Sequence, residues 1–378
     1  MEFGEIETGS ALGAILAHSV RAPGLTLPKG RRLGAEDIAA LAAAGIARVW
    51  AARLAAGETG EDEAAARLGA ALAGPGLRAS RAATGRVNLH AETAGLLAVE
   101  AARVDALNAI DEAMTLATLP PGAILTAGQM AATVKIIPFG VRDDRLEAAL
   151  SRLGDRPPLR LAPFRPARAG LVLTRVPGLK PGLLAKARET TAARLAAMGG
   201  TLAAERICPH AVGALAGALQ DLCAEGCELL LVLGGSATLD RADVVPAAIR
   251  AAGGTVERLG MPVDPGNLLV LGSLGGRRVI GLPGCARSPQ LNGVDLILAR
   301  HLAGERLDGA VIAGLGVGGL LDETVHRPLA RRIRETAQRQ PRVAAIVLAA
   351  GASRRMGAMD KRLAVLAGKP LLRHAVEG

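Results

Sequence analysis

From residue 167 to 305, short apolar runs alternate with amphipathic stretches. The runs 170–175 (GLVLTR), 201–206 and 228–233 (ELLLVL) have strand length. The last is apolar almost throughout, as in a strand buried on both faces. Between them, 182–198, 211–224 and 244–252 carry helical spacing. Each is followed by glycine, at 199–200, 226 and 253–254, which suits a helix C-terminus. Further strands are predicted at 256–259, 268–271 and 279–282, with a last helix over 291–302. Strand and helix in alternation, joined by short loops, predict a parallel sheet covered on both faces.

The flanking regions read differently. Residues 34–49 predict a helix turning into a strand, and 60–72 a second helix with Glu61, Asp62 and Glu63 at its positive end. The segment 131–139 (AATVKIIPF) is β-branched and strand-like. The segment 157–166 (PPLRLAPFRP) reads as a linker, because proline removes backbone donors and arginine stays wet. A second linker is expected at 326–341, which is basic and lacks a strand pattern. At 343 an apolar run (VAAIVLAAG) leads into a glycine loop. The predicted organisation is therefore an α+β domain over 1–165, an α/β domain over 166–325, the linker, and a strand–loop segment over 342–378.

Composition narrows the function. Half the residues are hydrophobic, yet there are only three Phe, one Trp and no Tyr. Base stacking on aromatic side chains, and with it sequence-reading RNA recognition, is not expected. The net charge of +10 attracts polyanions, but the arginines are spread along the chain apart from a cluster at 331–342. Nucleotides and phosphorylated cofactors satisfy that field as well as nucleic acid does, so no nucleic-acid partner is predicted. Cys208, Cys223, Cys227 and Cys285 form no CxxC pair, which favours free thiols over zinc. The six histidines show no ligand spacing and read as structural or exposed. The longest uncharged stretch, 113–134, is broken by Pro120 and Pro121, so no membrane partner is expected. The N-terminus carries no signal-peptide pattern, and a cytoplasmic location follows as an expectation.

The chemistry sits in loops. After ELLLVL come Gly234, Gly235, Ser236, Ala237 and Thr238, then Asp240 and Asp243 before a helix. In an open parallel sheet, ligands bind beyond the carboxyl ends of the strands. Glycines there let backbone N–H groups approach an anion, and hydroxyls add donors. A carboxylate beside such a cradle suits a Mg²⁺ ligand or a general base. The structural alternative is a tight turn with Asp243 as a helix cap. Two further turns follow, Asp264–Pro265–Gly266–Asn267 and Leu282–Pro283–Gly284, the second leading to Ser288. The literal GxGxxG at 314–319 has no following strand with an acidic end, so a dinucleotide site is not predicted.

Taken in order, GGSATLDRADVVPAAI, MPVDPGNLLVL and VIGLPGCARSP resemble the molybdopterin-binding domain of molybdopterin adenylyltransferases, gephyrin and related molybdenum-inserting enzymes. Gly234, Gly235, Asp243, Pro265, Gly266, Pro283 and Gly284 fall on that pattern. The loop's second half, Ser-Ala-Thr-Leu, departs from it, so the resemblance implies pterin binding rather than adenylyl transfer or metal insertion.

The C-terminal segment resembles the start of sugar-nucleotide and molybdopterin nucleotidyltransferases. Leu348, Ala349, Ala350, Gly351, Ser353, Arg355, Met356 and Gly357 match LAAGxSxRMG, Lys361 matches the lysine that follows, and GKPLL closes the pattern. The implied fold is α/β: a three-layer molybdopterin-binding domain with a mostly parallel sheet, preceded by an α+β domain and followed by a partial Rossmann-like nucleotidyltransferase segment.

The implied function is molybdenum cofactor biosynthesis. Molybdopterin or the molybdenum cofactor is held by Gly234, Gly235, Ser236, Thr238, Asp240, Pro265, Gly266, Pro283, Gly284 and Ser288. In a complete version, a nucleotide from CTP or GTP is transferred by Asp243, Arg355 and Lys361, with Mg²⁺ on Asp243. The implied partners are a small-molecule pterin and a nucleotide, a second copy of the chain in a homo-oligomer, and molybdoenzyme maturation proteins. The segment after 342 is short for a nucleotidyltransferase, so truncation and no turnover are the expectation for this chain. A pterin carrier or regulator without turnover, a sugar-phosphate nucleotidyltransferase and a basic nucleic-acid binder are the rival readings.

Overall fold

The computed structural model describes residues 1–178, 181–321 and two short strands at 365–366 and 369–370. The chain divides into two units, Met1–Asp322 and Glu323–Gly378. In the second, Val365–Leu366 pairs antiparallel with Lys369–Pro370. The predicted nucleotide-loop residues Leu348 to Gly357, with Lys361, and the 326–341 linker lie outside the described residues.

The first unit opens with Glu2–Glu7 paired antiparallel to Arg48–Arg53. Ile6, Val49 and Ala51 face inward onto Leu41 of the helix Ala35–Ala43. Trp50 points the other way, 45% exposed, with Phe3 and His18 beside it. The helix starts where Asp37 accepts the Gly34 N–H and the Arg31 guanidinium at 3.0 and 2.9 Å. Next, Met114–Thr118, Met130–Ile136, Arg86–Ala91 and Leu77–Ala79 form a four-stranded sheet in that order. Helix Glu61–Leu72 lies against it so closely that a Cβ on Gly69 would come 2.5 Å from Val87 Cγ1.

The segment predicted as a linker is a strand. Leu159–Pro163 pairs antiparallel with Gly95–Val99. Leu159 and Leu161 are buried, so the Leu-Arg-Leu alternation outweighs the prolines that flank it.

Six strands build the large sheet and are numbered here from its first. They are β1 (Arg168–Arg175), β2 (Thr201–Pro209), β3 (Leu229–Leu233), β4 (Thr255–Leu259), β5 (Val270–Leu274) and β6 (Arg277–Leu282). The helices between and after them are α1 (Pro181–Ala197), α2 (Val212–Ala224), α3 (Val244–Ala251), α4 (Gly293–Leu302) and α5 (Gly309–Ala313). The spatial order is β2-β1-β3-β6-β5-β4. The pairs β1/β2, β1/β3 and β3/β6 are parallel, whereas β5 runs antiparallel to both β6 and β4. Alternation of strand and helix predicts a mostly parallel sheet; the sheet is mixed, with β5 reversed at the β5–β6 hairpin. There Gly275 and Gly276 both take positive φ, as a two-residue turn between right-twisted strands requires.

Successive residues of β3 feed two different cores. Leu229, Leu231 and Leu233 pack with α1 and α4, while Leu230 and Val232 pack with α2 and α3. All five are essentially inaccessible, which is why the run is apolar without alternation. Full burial of each such side chain stabilises by about 1.5–3 kcal/mol.

A buried polar network interrupts this apolar interior. Arg194 on α1 is buried, with Nε donating to Asp295 Oδ1 at 2.8 Å. Its remaining nitrogens donate to the carbonyls of Ala286, Ser288 and Gln290. Asp295 Oδ2 in turn accepts the Asn292 N–H at 2.8 Å, and Asn292 Oδ1 accepts from Val294, a reciprocal cap on α4. Removing one partner of a buried pair strands a charge, so Asp295→Ala is expected to cost about 3–5 kcal/mol of stability, measured by urea denaturation. Asp295→Asn retains an acceptor for either Arg194 or the cap and is expected to cost less. Equal losses in the two variants would show that the charge is not what matters.

Candidate ligand site at the carboxyl edge of the sheet

Three loops leave the large sheet at one edge. Leu233 of β3 stands opposite Leu282 of β6, so the loops starting at Gly234 and Pro283 emerge side by side. Because β5 is antiparallel, its first residue, Val270, lies beside Gly281 near the end of β6. The loop carrying Pro265 and Gly266 therefore reaches the same edge. The first strand contributes as well, since Leu173 stands opposite Leu233 two residues before β1 ends.

The Gly234–Gly235 turn is held from below. Gly235 donates its N–H to Thr174 Oγ1 at 2.8 Å, and the same oxygen lies 2.7 Å from His210 Nδ1. Thr174 is fully buried at the end of β1. Any Cβ on Gly235 would sit 2.9 Å from the Thr174 carbonyl oxygen, so close approach rather than φ demands glycine.

Beyond the turn, the N–H groups of Ser236, Ala237 and Thr238 donate to no protein acceptor among the described residues. Facing this turn, Arg287 Nη2 donates to the Gly234 carbonyl at 2.8 Å. Its Nη1 lies 3.4 Å from where a Gly284 Cβ would be. Burial pushes the Arg287 guanidinium below its ordinary pKa, and it pairs with no carboxylate among the described residues. The edge thus places a partly desolvated cation on the Gly234 carbonyl, close in sequence to three consecutive amides without a protein acceptor among the described residues, an arrangement suited to an anion.

The other predicted residues divide. Pro265 and Gly266 brace the start of α4. The Pro265 carbonyl accepts the Gly293 N–H at 2.8 Å, and Gly266 has φ 137° with its open side 2.7 Å from that nitrogen. Ser288 Oγ accepts the Gln290 N–H at 3.3 Å, and its carbonyl serves Arg194. Asp240 accepts the Ala242 N–H in a tight turn at 2.7 Å. Asp243 is the N-cap of α3: Oδ1 accepts from Val244 at 2.7 Å and Oδ2 from Leu239 at 3.1 Å. Both its oxygens are engaged by backbone. No group of three His, Cys, Asp or Glu residues that could hold a metal occurs among the described residues. The described residues therefore do not fit a Mg²⁺ cage at Asp243. All four cysteines are free, and burial raises the thiol pKa of Cys208, Cys227 and Cys285. The literal GxGxxG follows a helix, α5, not a strand. Its Gly319, and Leu321 just beyond it, bond to the Asp264 backbone, which props the Pro265–Gly266 turn from outside.

Thr174, His210, Arg287 and Arg194 were not singled out by motif reading. A polar Thr closing the apolar run GLVLT was the available signal for the first, and Arg287 stood inside the LPGCARSP segment itself.

Two family matches and three solved structures bear on the chain. Residues 5–53 match a domain of unknown function (DUF8806), and residues 345–378 match the MobA-like NTP transferase domain. No curated protein matches. The chain is similar to a molybdopterin biosynthesis MoeA protein from Pyrococcus horikosii, at 14% identity and TM-score 0.27 over 81% of this chain and 76% of that one. It is similar to the molybdopterin biosynthesis enzyme MoaB from Thermus thermophilus, at 18% identity and TM-score 0.25 over 36% of this chain and 89% of that one. A molybdenum cofactor biosynthesis protein from Pyrococcus furiosus is 13% identical, with TM-score 0.22 over 81% of this chain and 66% of that one. Likenesses of this size carry no argument about a ligand, which rests on the geometry above and on the sequence motifs.

Proposed function

We propose that the chain acts in molybdenum cofactor maturation, and that the carboxyl edge of the large sheet holds the phosphate of a pterin. The observation that carries this reading is the Arg287 guanidinium set against the open amides of Ser236, Ala237 and Thr238. A phosphate monoester there gains charge-assisted hydrogen bonds from the guanidinium and neutral ones from the amides. The Ser236 and Thr238 hydroxyls add further donors. Thr174 holds Gly235, the residue before those amides, and His210 holds the Thr174 hydroxyl. The pterin itself is inferred from the order of the three glycine motifs, which resembles the molybdopterin-binding domain.

The match of residues 345–378 to the MobA-like NTP transferase domain supports a second step. An oxygen of the cofactor phosphate attacks the α-phosphorus of CTP or GTP, the α–β anhydride bond breaks, and pyrophosphate leaves. By the resemblance, Gly351 and its neighbours wrap the triphosphate while Arg355 and Lys361 neutralise the leaving charge. Magnesium bound with the triphosphate would add to that neutralisation. Asp243 is left out of the step because both its oxygens serve the backbone.

Mass spectrometry of the small molecule that co-purifies with the protein tests the first part, and a phosphorylated pterin is expected. Release of pyrophosphate from CTP or GTP in the presence of the cofactor separates an enzyme from a carrier. Arg287→Gln is expected to weaken binding of a phosphorylated pterin about tenfold or more, since a hydrogen bond from a charged donor is worth about 1.5–3 kcal/mol. Binding of the dephosphorylated pterin should be unchanged in that variant. Equal affinity of the wild type for both pterins, by calorimetry, would remove the phosphate from the reading.

Asp243 gives a separate prediction. Asp243→Ala should lower stability by about 1 kcal/mol through loss of the cap, whereas Asp243→Asn should retain both the cap and the ligand affinity. If the Asn variant keeps its melting temperature but loses pterin binding, the carboxylate touches the ligand after all.

A further inference from the structure

A second cationic site lies at the other end of the sheet. Helix α4 leaves the carboxyl edge after β6 and runs back past the strands. Its last residue, Leu302, receives the N–H of Arg165 at 2.8 Å, three residues before β1 begins. A cavity of 680 Å³ opens there, lined by Arg160, Arg165, Arg300 and Arg306 with Glu305 and apolar walls that include Leu161 and Val311. The glycine-loop edge and this cavity occupy opposite ends of the strands and share no residue.

The charge in this cavity is not consumed by the protein. Arg306 pairs with Asp308 at 2.5 Å. Arg160, Arg165 and Arg300 have no ion pair or side-chain hydrogen bond among the described residues. Against those three stands one carboxylate, Glu305. Nor do they cap α4. The carbonyls of Ala299, Arg300, His301 and Leu302 accept the N–H groups of Ala303, Glu305, Gly304 and Arg165. Burial holds the neighbouring His301 below its ordinary pKa.

Two of the guanidiniums also lie on glycine backbone. Arg165 Cζ is 2.8 Å from the Cβ position of Gly304, and Arg300 Nη2 is 3.1 Å from that of Gly122. Both glycines have positive φ, so a side chain at either is strained as well as obstructive.

We propose that this cavity binds a small polyanion carrying adjacent phosphoryl groups. Each guanidinium presents a planar fork of N–H donors. Arg160, Arg165 and Arg300 all line this cavity, Arg300 lying between it and a second one over Gly122; their donors together exceed what the two oxygens of a single carboxylate can accept, whereas linked phosphoryl groups supply oxygens in several directions. The apolar walls offer an ester substituent a dry surface and no ring to stack on. The site is independent of the pterin reading.

Calorimetric titration of the full chain with inorganic pyrophosphate, CDP and citrate at constant ionic strength tests this. Pyrophosphate and CDP should compete for one site here, and whichever binds more tightly identifies a free or an esterified diphosphate as the source. Arg165→Ala/Arg300→Ala should weaken that binding about tenfold or more per guanidinium. Arg287→Gln, at the opposite edge, should leave it intact. Arg165→Lys/Arg300→Lys keeps the charge and guards against loss of folding; it should still bind about tenfold more weakly, because an ammonium lacks the fork. Removing equal charge elsewhere with Arg21→Ala/Arg78→Ala should have no effect beyond a general field. The proposal is overturned if this control loses as much affinity as the cavity variant, if the lysine variant binds as the wild type does, or if citrate binds as tightly as pyrophosphate.

Discussion

The carboxyl edge of the large sheet depends on one buried cation. Arg194 carries five N–H donors into an apolar interior, where any left unmade would be costly. Asp295 and three loop carbonyls receive four of them. The loop after β6 has no regular structure of its own beyond one short 3₁₀ turn, Gly284–Arg287. Its path is set by the carbonyls that must meet the guanidinium. Through Asp295 the same cation anchors the start of α4, on which the Pro265–Gly266 turn rests. Two of the three loops at the edge are thus referred to a single side chain on α1.

The third loop is held by different means. Thr174 is buried without being apolar, and its hydroxyl fixes Gly235 directly. Arg287 then closes the gap by donating to Gly234 across the two loops. The two ties fix Gly234 and Gly235, and the amides that follow them donate to no protein acceptor among the described residues. Such a cradle is pre-organised, so little ordering remains to be done when a ligand arrives.

The fold was largely legible in the sequence where burial is two-sided, because β3 must then be apolar at every position. The β5–β6 hairpin was less so. Antiparallel and parallel strands in a covered sheet share the same apolar run, and only Gly275–Gly276 marks the reversal. The strand Leu159–Pro163 was hidden by its prolines although Leu159 and Leu161 carry the alternation. At the site, glycine loops stood out because close approach leaves no other residue. Arg287 did not, being one of 45 Lys and Arg residues, although it stands inside the LPGCARSP segment. Asp243 shows the converse. A carboxylate before a helix has the same sequence signature as cap or ligand, and only the N–H groups of Leu239 and Val244 tell which role its oxygens fill.

The scarcity of aromatic rings has an optical consequence. Trp50 is the chain's sole indole, there is no tyrosine, and no phenylalanine occurs after Phe164. Trp50 sits half-exposed in the opening β-structure, far along the chain from the strands that build the large sheet. Intrinsic fluorescence therefore reports on the first fifty or so residues and little else. The large sheet can melt, bind or rearrange in near silence at those wavelengths. Amide circular dichroism sees it, because strands and helices there outnumber those around the indole. A fluorescence transition that precedes the dichroic one would reveal the opening segment coming loose while the sheet stays folded.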